Sequence, residues 1–319
     1  MEFIGMMNYA VFFLVFAGIY AIVALGLNMQ WGLTGLFNIG IAAFFAIGAY
    51  TTGILTSPPS PNHVGGFELP FPVGLLGAMI TSAALALLIG IVTLRLRADY
   101  LAISTIGLAE LVRLILKNED WLTNGVRGMP GIPRPLGPEL GADFNYAYLA
   151  LVVVVLLVIY GLCEILRKAP WGRVLRALRE DEQAASSAGK NIVSFRLQSF
   201  VVGSSIMGLA GALYAHFFGF ISPESFEPMQ TTFLIWVMLI AGGSGNNRGA
   251  ILGAFVIWGV FSATDFATRL LPPDMITQAG HIRILLVGLL LCVILVIRPQ
   301  GILSEEGMLR REARRRDKT

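Results

Sequence analysis

Two groups of ionisable residues stand at spacings that could do work. Glu110 and Arg113 are three positions apart, which in a helix puts carboxylate and guanidinium on one face, and both fall inside an otherwise apolar run. A lone charge near mid-bilayer costs about 2.5–3.5 kcal/mol on insertion scales, so the two are expected to pair or to face a polar cavity. As a functional pair they would line or gate a solute path; as a structural pair they would fasten their helix to a neighbour. Arg173, Arg176 and Arg179 recur at every third position, and Glu180, Asp181 and Glu182 follow directly. The surrounding residues favour a helix that stops at Gly189, Lys190 and Asn191. A short rigid charged helix of this kind is a handle by which another protein could move the chain; the alternative is a solvated arginine-rich loop.

Other chemistries find no support. His63, His216 and His281 are scattered, with no metal-ligand spacing, and Cys163 and Cys292 lie in different apolar runs, which speaks against a zinc site or a disulfide framework. The stretch from Gly243 to Arg248 comes close to a dinucleotide fingerprint, but Arg248 replaces its last glycine and no βαβ pattern surrounds it. No P-loop string occurs, so ATP is not expected to bind in the usual cradle here, and no cofactor is expected on this chain.

The elements that position these residues are membrane segments. Hydrophobic residues make up 55% and charged residues 13% of 319, against the roughly 25% charged that is usual for soluble domains. Mean hydropathy is +0.73. Residues 8–27, 32–55, 71–94, 146–163 and 284–297 hold no Asp, Glu, Lys or Arg, and several reach the roughly 20 residues needed to cross a bilayer. The expected fold class is an all-α polytopic integral membrane protein with about nine segments. These are 8–27, 32–55, 71–94, 99–117, 146–167, 196–220, 230–246, 249–269 and 281–298. Segment 230–246, closed by Gly242, Gly243 and Gly245, has a re-entrant half-helix as its alternative. The start of the chain lacks the basic region of a signal peptide, so 8–27 is expected to be retained as a spanning helix. Turn signals fall at 57–61, 128–138 and Pro272–Pro273.

Nine spans put the termini on opposite sides. With the C-terminus inside, the inner loops hold most of the 23 Lys and Arg, so the positive-inside rule predicts a cytoplasmic C-terminus and an external N-terminus. The chain reads as one transmembrane domain over 1–319, with a cytoplasmic loop at about 168–195 and a basic tail at about 299–319. That tail is expected to anchor on anionic lipid, and no nucleic-acid partner is expected. Gly245, Gly249 and Gly253, like Ser204, Gly208 and Ala212, are spaced by four and predict close helix packing. Asn28, Gln30 and Asn38 flank the short second turn and the start of the second span. Asn38, in an apolar Gly-rich helix, is expected to act as interhelical glue or to line the path.

A resemblance enters at the charged loop. Gln183-Ala184-Ala185-Ser186-Ser187-Ala188-Gly189 is similar to the EAA-x-x-x-G coupling motif of bacterial ABC import permeases, with Gln183 where Glu is usual. GLNMQWGLTGLFNIGIAAFFAIGAYTTGIL (26–55), LRLRADYLAISTIGLAELVRLILKN (94–118), LIAGGSGNNRGAILGAF (239–255) and RPQGIL (298–303) resemble the M-type permease of branched-chain amino acid importers. The resemblance implies a homologous H-type permease as partner, two ATP-binding cassette subunits carrying ATP and Mg, and a periplasmic solute-binding protein that delivers a small amino acid. It also implies a place in the bacterial inner membrane. The coupling contact would then use Arg176, Arg179, Glu180, Asp181, Glu182, Gln183, Ala184, Ala185 and Gly189, and the path would use Asn38, Glu110 and Arg113. A urea or short-chain amide permease is the near rival. An ion-coupled secondary transporter is the distant one, and it is opposed by the sparse intramembrane carboxylates, Glu110 being deep and Asp265 nearer an end.

Overall fold

The computed structural model describes residues 2–61, 63–95, 98–135, 137, 141–268, 279–303 and 305. The Pro272–Pro273 turn and the basic tail beyond 305 lie outside the described residues, as do the side chains of Asp265, His281 and Arg283. Nearly every apolar run forms a helix, because a backbone in lipid can meet its hydrogen bonds only within itself. Among the described residues, nine helices of 15 residues or more occupy the nine expected segments. They are α1 (Glu2–Leu27), α2 (Ile41–Thr56), α3 (Phe71–Thr93), α4 (Ala98–Asn118), α6 (Phe144–Lys168), α9 (Ile192–Phe218), α10 (Pro228–Gly242), α11 (Asn247–Thr268) and α12 (Ala279–Ile297). Between them lie three short helices: α5 (Asp120–Thr123), α7 (Pro170–Glu180) and α8 (Glu182–Ser187).

Helix α9 is the centre of the bundle, packed against α1, α2 and α3, while α1 also meets α6 and α11. Close approach explains the small residues. A Cβ on Gly208 would come 2.7 Å from the Ala78 carbonyl oxygen, and one on Gly253 would come 2.8 Å from Gly242 Cα. The expected stripes are therefore packing seams, α9 against α3 and α11 against α10. By contrast α3 and α6 turn apolar side chains outward, among them Leu88, Val92, Val154 and Leu157.

Among the described residues, four helical stretches are long and apolar enough to cross a membrane by length and composition: Met7–Gly32, Phe71–Thr93, Phe144–Lys168 and Ile192–Phe218. Two other segments are shorter than expected. The second does not begin at 32: α1 runs into a π-helical turn, Asn28–Gly32, helical backbone ends at residue 34, irregular backbone fills 35–40, and α2 starts only at Ile41. The reason is polar: Asn38 and Gly35, the latter at φ +69°, favour local backbone bonding and a turn over helix. Helix α10 has 15 residues, about 22 Å at 1.5 Å per residue.

The loops gather in two sets. In one, Val64 N donates to Trp121 O (2.7 Å), and Met129–Pro130 pairs antiparallel with Phe220–Ile221 as a two-stranded ribbon, β1 with β2. In the other, residues 28–40, 164–179, 242–248 and 301–305 touch one another.

Candidate functional site

The charged loop is two helices, not one. In α7, Gly172, Leu175 and Leu178 form a buried stripe while Arg173, Ala177 and Glu180 face outward. A Cβ at Gly172 would lie 2.8 Å from the Arg167 carbonyl carbon, so α7 folds back tightly on the end of α6. Asp181 leaves the helical region (φ −149°, ψ 104°), and its carboxylate accepts the Ala184 amide at 2.9 Å, capping α8. Gly189 closes the element at φ +76°. Between 181 and 190 only Ala185 is buried; Asp181, Glu182, Gln183, Ala184 and Gly189 are exposed. The result is a small polar cap on an apolar base.

A spacing of three suggests one shared face for Arg173, Arg176 and Arg179, but the structure does not give them one. Each step of three residues falls about 60° short of a full set of turns, so over two steps the side chains fan apart. Arg173 is exposed and Arg176 is half-buried, with its Nη1 buried and unpartnered. Arg179 turns inward: it donates from Nη1 to the Gly32 carbonyl and from Nη2 to Glu305 Oε2 at 2.8 Å. Glu182 is tied back to α9 by accepting from Nη1 and Nη2 of Arg196, at 3.2 and 2.8 Å.

Glu110 and Arg113 do pair, through two bonds of 2.9 Å (Nε to Oε2) and 2.5 Å (Nη2 to Oε1). The pair continues to the turn Pro223–Phe226, where Glu224 lies 3.6 Å from Arg113 and accepts from Lys117 at 2.8 Å. The bond from Lys117 holds the Glu224 carboxyl below the usual carboxylate range. The Glu110 side chain is 43% exposed, so this row forms an open polar face on α4 as well as a tie to the turn.

Asn38 lies in the break before α2, not within a helix, and is fully buried. It donates to Gln30 Oε1 (2.8 Å), accepts the Gly40 amide (2.8 Å) and receives Trp236 Nε1 on its carbonyl (3.0 Å). Gln30 in turn donates to Phe200 O and Ser204 Oγ on α9. Its place is that of glue between segments.

Among the described residues, the most buried charge escaped the sequence reading. Arg167, 1% exposed, bonds Glu164 at 3.3 and 2.9 Å. Glu164 also accepts from Asn247 (2.9 Å), which accepts from Asn28 (2.8 Å), whose own oxygen accepts the Gly245 amide (2.8 Å). The i,i+3 spacing that singled out Glu110 and Arg113 is the same here and was the available signal. At the other loop set, a cavity of about 480 Å³ is lined by Thr56, Glu68, Phe71, Gly131, Pro133 and His216. His216 Nδ1 donates to Pro133 O (2.7 Å), which leaves Nε2 to accept from Thr52 (2.9 Å). No group of His, Cys, Asp or Glu that could hold a metal occurs among the described residues.

Residues 9–295 match a family model described as branched-chain amino acid transport system / permease component. The chain is 34% identical to the high-affinity branched-chain amino acid transport system permease protein LivM of Salmonella typhimurium, over 89% of this chain and 68% of that protein. It is 27% identical to a probable branched-chain amino acid transport permease protein LivM of Methanocaldococcus jannaschii, over 93% of both. The permease protein LivH of Salmonella typhimurium is 26% identical over 89% of this chain and 91% of that one. No solved structure matches the chain. Long apolar helices around a small-residue core, with a capped polar loop, fit such a match, and the chain belongs to the family of permease components of branched-chain amino acid transport systems, a multi-pass membrane protein.

Proposed function

We propose that this chain is the M-type permease subunit of an ATP-driven importer for branched-chain amino acids in the bacterial inner membrane. It forms the path with a homologous H-type permease. Two ATP-binding cassette subunits, which carry ATP and Mg, seat on the cap at 181–190, and a periplasmic binding protein delivers the substrate to the opposite end. Nine segments, including the short α2 and α10, thread the chain with an external N-terminus and a cytoplasmic C-terminus. The loops that touch one another are those the positive-inside count assigns to the same side, which supports this threading.

The observation that carries the reading is the exposed cap Asp181–Lys190 held on the buried stripe of α7: a protruding, rigidly based knob suits a cytosolic motor. The names borne by the relatives favour branched-chain amino acids over urea or short-chain amides. The open polar row on α4 supplies both signs of charge, which suits a zwitterion passing at the interface of two permeases.

Affinity purification from native membranes tests the reading. A second permease and ATPase chains should accompany this one, and the complex should import amino acids into vesicles on ATP. Replacing Glu180, Asp181 and Glu182 together by Ala should leave the chain inserted but uncouple uptake from ATP. Recovery of the chain alone, transporting under an ion gradient without ATP, would overturn the proposal.

A further inference from the structure

We infer that Arg179 and Glu305 form a clasp through which movement of the coupling loop reaches the broken start of the second span. The inference rests on the function proposed above. Four segments distant in sequence converge on one guanidinium. Arg179 comes from α7, its Nη1 holds the carbonyl of Gly32, where the π turn ends, and its Nη2 holds Glu305, beyond the last helix. The fourth is the Gly-rich turn after α10: a Cβ on Gly245 would sit 2.5 Å from Glu305 Oε2 and 3.2 Å from Arg179 Nη1. Glu305 is delivered there by backbone bonds, Ile302 N to Ala241 O and Leu303 N to Gly242 O, both 2.9 Å.

The clasp ends where the backbone is least constrained by helix. Residues 35–40 lie between helices, and polar side chains carry the chain of contacts onward. Asn38 bonds Gln30, Trp236 Nε1 bonds the Asn38 carbonyl, and the Ile39 amide donates to Thr105 Oγ1 on α4 at 3.0 Å. Thr105 stands on the helix that carries Glu110 and Arg113. Contiguous packed and hydrogen-bonded elements of this kind can carry energetic coupling between distant sites. Arg179 is thus a positioning residue: it faces inward, away from the exposed cap, and what it moves is the break. Glu305 Oε1 and Arg176 Nη1 are both buried without a hydrogen-bond partner, so the polar groups around α7 keep unmet hydrogen-bonding capacity.

The test uses the full complex in liposomes, with Arg179→Lys, Glu305→Ala and the double variant, reading amino acid uptake per ATP hydrolysed alongside the yield of assembled complex. Each single variant should assemble and hydrolyse ATP, with uptake per ATP lower by about tenfold, the scale of coupling between linked sites. The double variant should be no worse than the worse single, because one contact is lost in all three. An unchanged ratio in both assembled single variants overturns the clasp, and so do losses that multiply. Failure of both single variants to assemble overturns it as well, in favour of a purely structural tie. If the wild-type complex shows no ATP-driven uptake, the proposed function itself falls and takes the clasp with it.

Discussion

Replacing Arg167 by Met would strip the half-buried Glu164 carboxylate, its side chain 17% exposed, of its closest cation. Arg167 is 1% exposed and bonds Glu164 twice, at 3.3 and 2.9 Å. Removing one partner of a buried pair costs about 3–5 kcal/mol, because the remaining charge is left uncompensated. Glu164 keeps its bond from Asn247 at 2.9 Å and has Lys168 at 3.7 Å, so the cost belongs at the lower end, about 3 kcal/mol. That is roughly a hundredfold fall in the folded-to-unfolded ratio. Equilibrium unfolding of the purified chain in detergent would read it directly. The companion variant Glu164→Leu with Arg167→Met removes both charges and should recover most of the loss, since apolar replacement of a whole buried pair is often neutral. A single substitution costing less than about 1 kcal/mol would refute the argument from buried charge, and so would a double variant as damaged as the single one.

Three further substitutions read other parts of the structure. Asp181→Ala removes the cap of α8 and should cost about 1 kcal/mol locally, seen as faster amide exchange over residues 182–188 with the membrane helices unaffected. Gly253→Val places side-chain atoms against Gly242 Cα and should separate α10 from α11, so that little folded protein is recovered by size-exclusion chromatography. Glu224→Gln mimics acid at neutral pH. Lys117 lowers the Glu224 pKa, so the link stands above the ordinary carboxylate value of about 4.3 and is lost only as pH falls below it. With Glu224 largely exposed, the thermal midpoint should hardly move while uptake falls if the α4 row lines the path.

Much of the helical layout was legible because lipid leaves the backbone few choices. Uncharged runs of about 20 residues mark helices almost by themselves, and small residues spaced by four mark their seams. The break at 35–40 was not legible, since apart from Asn38 its residues are as apolar as the helix that follows. Gly35 and Asn38 interrupt the helix there, and contacts that no spacing announces, Gln30 with Asn38 and Trp236 with the Asn38 carbonyl, hold the break. The pairing of Glu110 with Arg113 could be read from spacing because both partners share one turn. Glu305 could not be placed beside Arg179, since nothing in 126 positions of separation hints at it. The three arginines of α7 misled for a geometric reason: a period of three is not the period of the helix.

The shortness of α2 bears on how the protein meets its bilayer. Its 16 residues span about 24 Å, less than a hydrocarbon core of roughly 30 Å, whereas the 23 of α3 and 25 of α6 reach about 35 Å or more. The deficit is not presented to lipid, because Leu33, Thr34, Leu36 and Asn38 are all buried against neighbouring segments. Hydrophobic matching is therefore left to the outward apolar faces of longer helices such as α3, α4, α6 and α12. Membrane thickness can vary around those helices, which tilt to accommodate it, while the irregular backbone inside is insulated from the change.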